Sequence, residues 1–196
     1  MTYKPSPNVS TPTMVSFLWL GAAMVAYVAG AAAERFAWAF QLACILGVVV
    51  SLYLLLRWRL TWFVYAVVPR GQGVAWQEEP ALAGGLSLGH MPPDALDLVV
   101  VKGQGAKAGV MECVLGMDAL ESAWVVSRKA GDDCPVYCRK FILQQYPGAK
   151  LYEYIQTYRW ERAIVAVFRD GEGYAVLLLD LPEESPMGQY LLRLGK

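Results

Sequence analysis

The hydrophobic positions of this chain follow two different patterns. Met14–Ala33 and Phe36–Leu56 are continuous apolar runs, separated only by Glu34 and Arg35. Each is about 20 residues long, enough for a helix to cross a hydrocarbon core of about 30 Å. They predict two membrane-spanning helices, 14–33 and 36–56, folded as a hairpin with its tip at Glu34–Arg35 and preceded by a short tail, 1–13. From Leu60 onward the runs shorten and are punctuated by Gly, Pro and Asp. Strands are predicted over Leu60–Val68, Asp97–Lys102, Val110–Leu115, Ala123–Ser127, Leu151–Tyr158, Ala163–Phe168 and Tyr174–Leu181, with a short extra one at Val74–Gln77. Gly103–Gly109 and Asp170-Gly171 read as hairpin turns, the second because Asp-Gly supplies the positive φ that a tight hairpin needs. Residues 183–194 close the chain as a helix, with acidic residues and Pro in its first turn and Tyr190, Leu191 and Leu194 on one apolar face.

About seven strands followed by one helix is the order of a pleckstrin-homology-like (PH-like) barrel, in which two antiparallel sheets pack together and the last helix caps an open end. The expected fold class is therefore α+β. An N-terminal transmembrane helical hairpin precedes an antiparallel β domain of the PH-like barrel or sandwich type, residues 57–196, capped by helix 183–194. Lys150–Tyr154, Arg162–Gly171 and Ala175–Pro182, with Met111–Trp124 as a middle strand and turn, also resemble a bacterial family. That family comprises small membrane proteins, common in Gram-positive anaerobes, with a two-helix transmembrane hairpin and a PH-like β domain. The resemblance implies a fold, a membrane location and the general habit of PH-like domains to bind lipids or proteins. It brings no invariant chemistry with it, and the first hairpin shows only Arg70 where phosphoinositide-binding relatives are basic.

The two spans carry small residues at four-residue spacing, Ala22, Ala26 and Gly30 on the first and Ala39, Ala43, Gly47 and Ser51 on the second. This pattern lets helix backbones approach closely in lipid. An antiparallel hairpin then sets Gly30 against Ala39, Ala26 against Ala43 and Ala22 against Gly47. Neither span contains a charged residue, which argues for an anchor rather than a transporter or channel. Ala31–Ala33 resembles a signal-peptide cleavage site, but Lys4 is the only basic residue ahead of it and the apolar run exceeds the usual length, so a retained hairpin is the better reading. Arg57 and Arg59 follow the second span directly, and positive residues collect on the cytoplasmic side. A multi-pass cell-membrane protein with both termini cytoplasmic is expected. Trp58 and Trp62 complete a membrane-interface set with Arg57 and Arg59.

Composition adds little that is specific. Hydrophobic residues make up 56% of the chain and charged residues 17%, with 17 basic against 17 acidic. From Leu60 on there are 13 Lys or Arg against 16 Asp or Glu, a net of −3. A nucleic-acid reader draws its affinity from a basic surface, so nucleic acid is not an expected partner. Gly103–Gly109 lacks the Gly-Lys-Ser/Thr ending of a phosphate loop. His90 is the only histidine and lies in a Gly/Pro loop. Cys134 and Cys138 are spaced C-x-x-x-C, neither the zinc nor the redox spacing. Glu78–Glu79, Asp132–Asp133 and Glu183–Glu184 are adjacent pairs that point apart. No catalytic, cofactor or metal residue is expected. The functional expectation is a non-enzymatic, membrane-anchored interaction module. It presents its PH-like domain to a cytoplasmic protein partner, or to lipid headgroups, through a sheet edge or the segment around Cys134–Gln145. Two readings stay open beside it: a subunit of a larger membrane complex bound through the hairpin, and an enzyme or metal-dependent sensor using Cys113, Cys134 and Cys138. A homodimer is compatible with the sequence.

Overall fold

The structure is a computed structural model that describes residues 1–5, 10–32, 37–71, 91–105, 108–130 and 133–195. The expected strand at Val74–Gln77, His90 and the hairpin tip lie outside the described residues. The chain is α+β: two long apolar helices, then two packed β-sheets and a C-terminal helix.

Helix α1 spans Ser10–Ala32 and α2 spans Ala37–Leu54. Both are long and apolar enough to cross a membrane, and they remain exposed on most of their surface. Only 17% of the most apolar stretch of α1, and 11% of that of α2, is buried within the chain. The core helix of a soluble protein is mostly buried, so this distribution of burial differs from that case. The buried positions are Pro12, Ser16, Ala23 and Gly30 on α1 and Gly47 and Ser51 on α2. Half-buried Ala37, Phe40, Cys44 and Leu54 continue the same stripe of α2. The α2 positions repeat at alternating steps of three and four and the α1 positions at steps of four and seven, both in keeping with the 3.5-residue period of coiled-coil packing. Two glycines mark the closest approach. A Cβ on Gly47 would lie 2.8 Å from the Ala23 Cβ, and one on Gly30 would lie 2.7 Å from the Phe40 Cβ. The Ser51 hydroxyl donates to the Ser16 carbonyl at 2.9 Å, tying the two helices together at the end away from the tip.

This seam differs from the one expected at four-residue spacing. Gly30, Gly47, Ser51 and half-buried Ala26 lie on it and Ala39 is half-buried beside it, whereas Ala22 and Ala43 are exposed. Gly30 meets Phe40 and Gly47 meets Ala23. A strict four-residue stripe drifts around a 3.6-residue helix. A seam shared by two crossing helices has to alternate steps of three and four to stay in contact.

Past Leu54 the chain continues as a wider turn, Leu55–Leu60, and passes without a loop into strand β2, Thr61–Pro69. A short strand that the sequence pattern does not predict, β1 (Thr2–Tyr3), pairs antiparallel with it, Thr2 against Ala66 and Tyr3 against Tyr65. The Met1 amine donates to the Val67 carbonyl at 2.9 Å, and the Val67 amide donates to the Met1 carbonyl at 2.8 Å. The helical hairpin is therefore an insertion between two neighbouring strands of one sheet. Strands β3 (Leu96–Gln104) and β4 (Val110–Gly116) complete this first sheet in the order β1-β2-β3-β4, antiparallel throughout.

A turn at Met117–Ala119 carries the chain into the second sheet. This sheet holds β5 (Leu120–Ser127), β6 (Lys150–Tyr154), β7 (Arg162–Asp170) and β8 (Gly173–Leu179) in the order β5-β7-β8-β6. The expectation of an all-antiparallel domain is corrected here, because β6 runs parallel to β8. A long connection containing α3 (Arg139–Gln145) carries the chain from β5 across to the far edge, which lets β6 enter in the same direction as β8. Strand β6 also ends at Tyr154, before the expected Tyr158. The Gln156 and Thr157 amides donate to the Asp180 carboxylate at 3.1 and 2.7 Å, and the chain turns there.

The core lies between the sheets. Phe63, Tyr65 and Val67 of β2 and Leu98 and Val100 of β3 face Ile164, Ala166 and Phe168 of β7 and Leu177 and Leu179 of β8. Helix α4 (Pro186–Leu194) inserts Met187, Tyr190 and Leu191 into this core. It begins at Pro186 rather than 183, with the Ser185 hydroxyl accepting the Gly188 amide at 3.0 Å and Pro in the first turn, where its missing N–H costs nothing.

Candidate functional site

The end of the β domain next to α2 combines a cleft, several cations and the attachment to the helices. Arg57 leaves α2 and donates from Nη2 to the Ile155 carbonyl at 3.1 Å. Its Nη1 is buried and has no hydrogen-bond partner among the described residues. The guanidinium also lies 4.5 Å from the centre of the Trp58 ring. Trp58 packs edge-on to Tyr158 at 5.3 Å, against the outer face of the second sheet. Trp62, four residues on, lies against the outer face of the first sheet, with Lys4 5.2 Å above its ring and its indole N–H donating to the Gly105 carbonyl at 3.0 Å. Arg57, Trp58 and Trp62 of the expected interface set thus grip the domain, one tryptophan on each sheet. The fourth member, Arg59, lies on the turn between them.

The cleft has a volume of about 540 Å³ and opens between the two sheets. Its walls are the start of β2 and β4 and the ends of β3 and β6, with Arg57, Lys102, Glu112, Glu153 and Tyr154 as its main polar groups. Lys102 pairs with Glu112 across 3.4 Å, and Glu153 accepts the Tyr137 hydroxyl at 2.8 Å. Burial pushes the Tyr154 phenol well above its ordinary range. Charges of both signs line the mouth, so it is not a simple anion cradle.

A second, more apolar cleft of about 320 Å³ lies between α3 and β5, lined by Trp124, Val126, Val136, Phe141 and Ile142. Ile142 is buried, and the Tyr137 amide donates to the Ser127 carbonyl at 2.7 Å, so this segment packs on the outer face of the second sheet. Phe141 is nevertheless 62% exposed and Val136 46% exposed.

The remaining candidate chemistry falls into separate places. Cys44, Cys113, Cys134 and Cys138 are free thiols, and no group of three or more metal-ligating side chains occurs among the described residues. Burial, then the charges of Asp170 and Glu112, push the Cys113 thiol up to about 11. Glu183 pairs with Arg162 at 2.6 Å. Asp180 is structural, its carboxylate accepting two main-chain amides and the Thr157 hydroxyl. The buried hub that Asp180 shares with Tyr65 and Gln156 carries no signal in a single sequence, since its residues are scattered over three segments.

Comparison with family models, with curated proteins and with solved structures finds no match to this chain.

Proposed function

We propose that this chain is a non-enzymatic, membrane-anchored interaction module. Its two helices cross the bilayer, and both termini and a PH-like domain lie on the cytoplasmic side. The observation that carries the reading is the pairing of β1 with β2. Neighbouring strands flank the hairpin, so both helix ends meet the same face of the domain, as two crossings of one bilayer require. Exposure of the apolar helix surfaces supports insertion, and Arg57 and Arg59 beside the second span support the cytoplasmic side. Two packed sheets with α4 in their core support the PH-like assignment, with the parallel β6 as a departure from it.

The partner in this reading is a protein, docked on the apolar cleft beside α3, where Phe141 and Val136 are exposed. The small residues of the helices close on one another at Gly30 and Gly47, which favours an anchor over a complex held through the hairpin. The test is purification from the native membrane in mild detergent, with quantitative mass spectrometry of whatever is retained. A near-stoichiometric protein that is lost with Phe141→Asp supports the reading. Recovery of the chain alone contradicts it.

A further inference from the structure

The net charge of −3 for the residues from Leu60 onward conceals a division between the two ends of the domain. The end far from α2 gathers carboxylates: Asp94 and Asp97 before and in β3, Asp118 and Glu121 at the corner into β5, and Asp170 and Glu172 at the β7–β8 turn. Arg70 and Arg169 at that end are paired with them. Arg70 bridges Asp97, at 3.3 Å, and Asp118, while Arg169 lies 3.6 Å from Glu121. At the end next to α2, Lys102 and Arg162 are likewise paired, with Glu112 and Glu183, but a further group of cations is not. The Arg128 guanidinium donates to the Tyr158 carbonyl at 3.2 Å, and Arg159 lies over the Tyr158 ring. The Ser127 hydroxyl donates to the Lys129 carbonyl at 2.7 Å, holding that turn beside them. Tyr158 in turn packs on Trp58, and Arg57 donates to Ile155 of the same loop. Among the described residues, Lys4, Arg57, Arg128, Lys129 and Arg159 have no carboxylate within ion-pair distance, in contrast to Arg70 and Arg169.

We infer that this end of the domain is a docking surface for the phosphate groups of anionic phospholipids, in the same leaflet that the second span leaves. The inference rests on the membrane-anchored reading. Unpaired cations at a water-facing surface keep their field for an external partner, and an anionic leaflet lies within a screening length of them. Trp58 and Tyr158 fix the loop that carries Arg159 to the end of the span, so the cations are presented at the bilayer without a flexible tether. Carboxylates also stand at this end: Glu112 is paired with Lys102, Glu183 with Arg162, and Asp180 is held by the Gln156 and Thr157 amides. Glu153 is engaged by Tyr137, and Glu161 is exposed beside them.

The experiment is hydrogen exchange on the full chain in nanodiscs of phosphatidylcholine alone or mixed with phosphatidylglycerol. Slower exchange of 128–130 and 155–161 in the anionic discs is expected. It should be abolished by high salt and by combined Lys129→Glu and Arg159→Glu, two exposed positions whose replacement leaves the fold intact, and retained with Lys129→Arg. Equal exchange in the two lipids overturns the inference. So does equal protection in phosphatidylcholine discs on adding inorganic phosphate, which makes the site one for soluble anions. Helices 10–32 and 37–54 are expected to be protected in both discs, and free exchange there overturns the anchoring itself.

Discussion

The Tyr65 hydroxyl, in the middle of β2, accepts the Asp180 amide at 3.2 Å and donates to the Tyr154 carbonyl. A single phenol from the first sheet thus ties together the ends of β6 and β8 in the second. Tyr65 is fully buried. The Gln156 side chain adds a parallel link, accepting the Phe63 amide at 3.2 Å. Together they close the domain on the side where β2 has only the two-residue β1 as a neighbour.

Tyr65→Phe keeps the ring but removes the phenol's bonds to the Tyr154 carbonyl and the Asp180 amide, leaving these two only their own long 3.4 Å bond, at a cost of about 1–3 kcal/mol. The variant is expected to bring the denaturation midpoint of the domain down while leaving the helical signal unchanged. The substitution also predicts a pH signature. Burial raises the Tyr65 phenol well above its ordinary value of 10.0, with Asp180 adding to the effect. The unfolded chain ionises first, so the stability due to the buried neutral phenol is complete below about pH 10 and falls as pH rises above it. The stability difference between native chain and Tyr65→Phe should shrink in that range. A constant difference would mean that the phenol is not held neutral by burial.

The hairpin seam makes a sharper distinction. Gly47→Leu puts a side chain where a Cβ alone would lie 2.8 Å from that of Ala23, and overpacking of this kind costs about 1–3 kcal/mol. Ala43→Leu, on the exposed side, should cost almost nothing. Helix packing followed by energy transfer between a donor on one helix and an acceptor on the other, in detergent, should show loss for the first only. Loss for the second only would restore the four-residue stripe.

The parts of this architecture legible in the sequence are those encoded by long, one-sided patterns. Two apolar runs define the helices, and β-branched alternation finds β2, β3, β7 and β8 within a residue or two. The rest depends on relations between distant segments. A two-residue strand has no period, so β1 is invisible until β2 offers it an edge. The direction of β6 follows from its connection and not from Lys150–Tyr154 themselves. Small residues are common all round α1, so spacing alone cannot choose Ala23 over Ala22. The charge polarity disappears from any average, because Arg128 and Arg159 meet near Arg57 only when the sheets fold.

The thiols offer a check on burial. Cys138 is exposed, whereas Cys113 is partly buried, with its ionisation pushed up to about 11. The thiolate is the reactive form. At pH 8, alkylation followed by peptide mass spectrometry should modify Cys138 well before Cys113, by an order of magnitude or more in rate. Equal rates would mean that β4 opens readily.

The most direct test of the anchoring account is the sidedness of two cysteines in intact cells, using a maleimide that cannot cross membranes. The account predicts that Arg35→Cys, at the hairpin tip, is labelled from outside, while Cys138 in the β domain reacts only after the cells are opened. Labelling of Cys138 from outside, with position 35 protected, would place the domain on the opposite side. Ready labelling of neither position before or after opening, or of both from outside, would contradict a two-span anchor with a cytoplasmic domain.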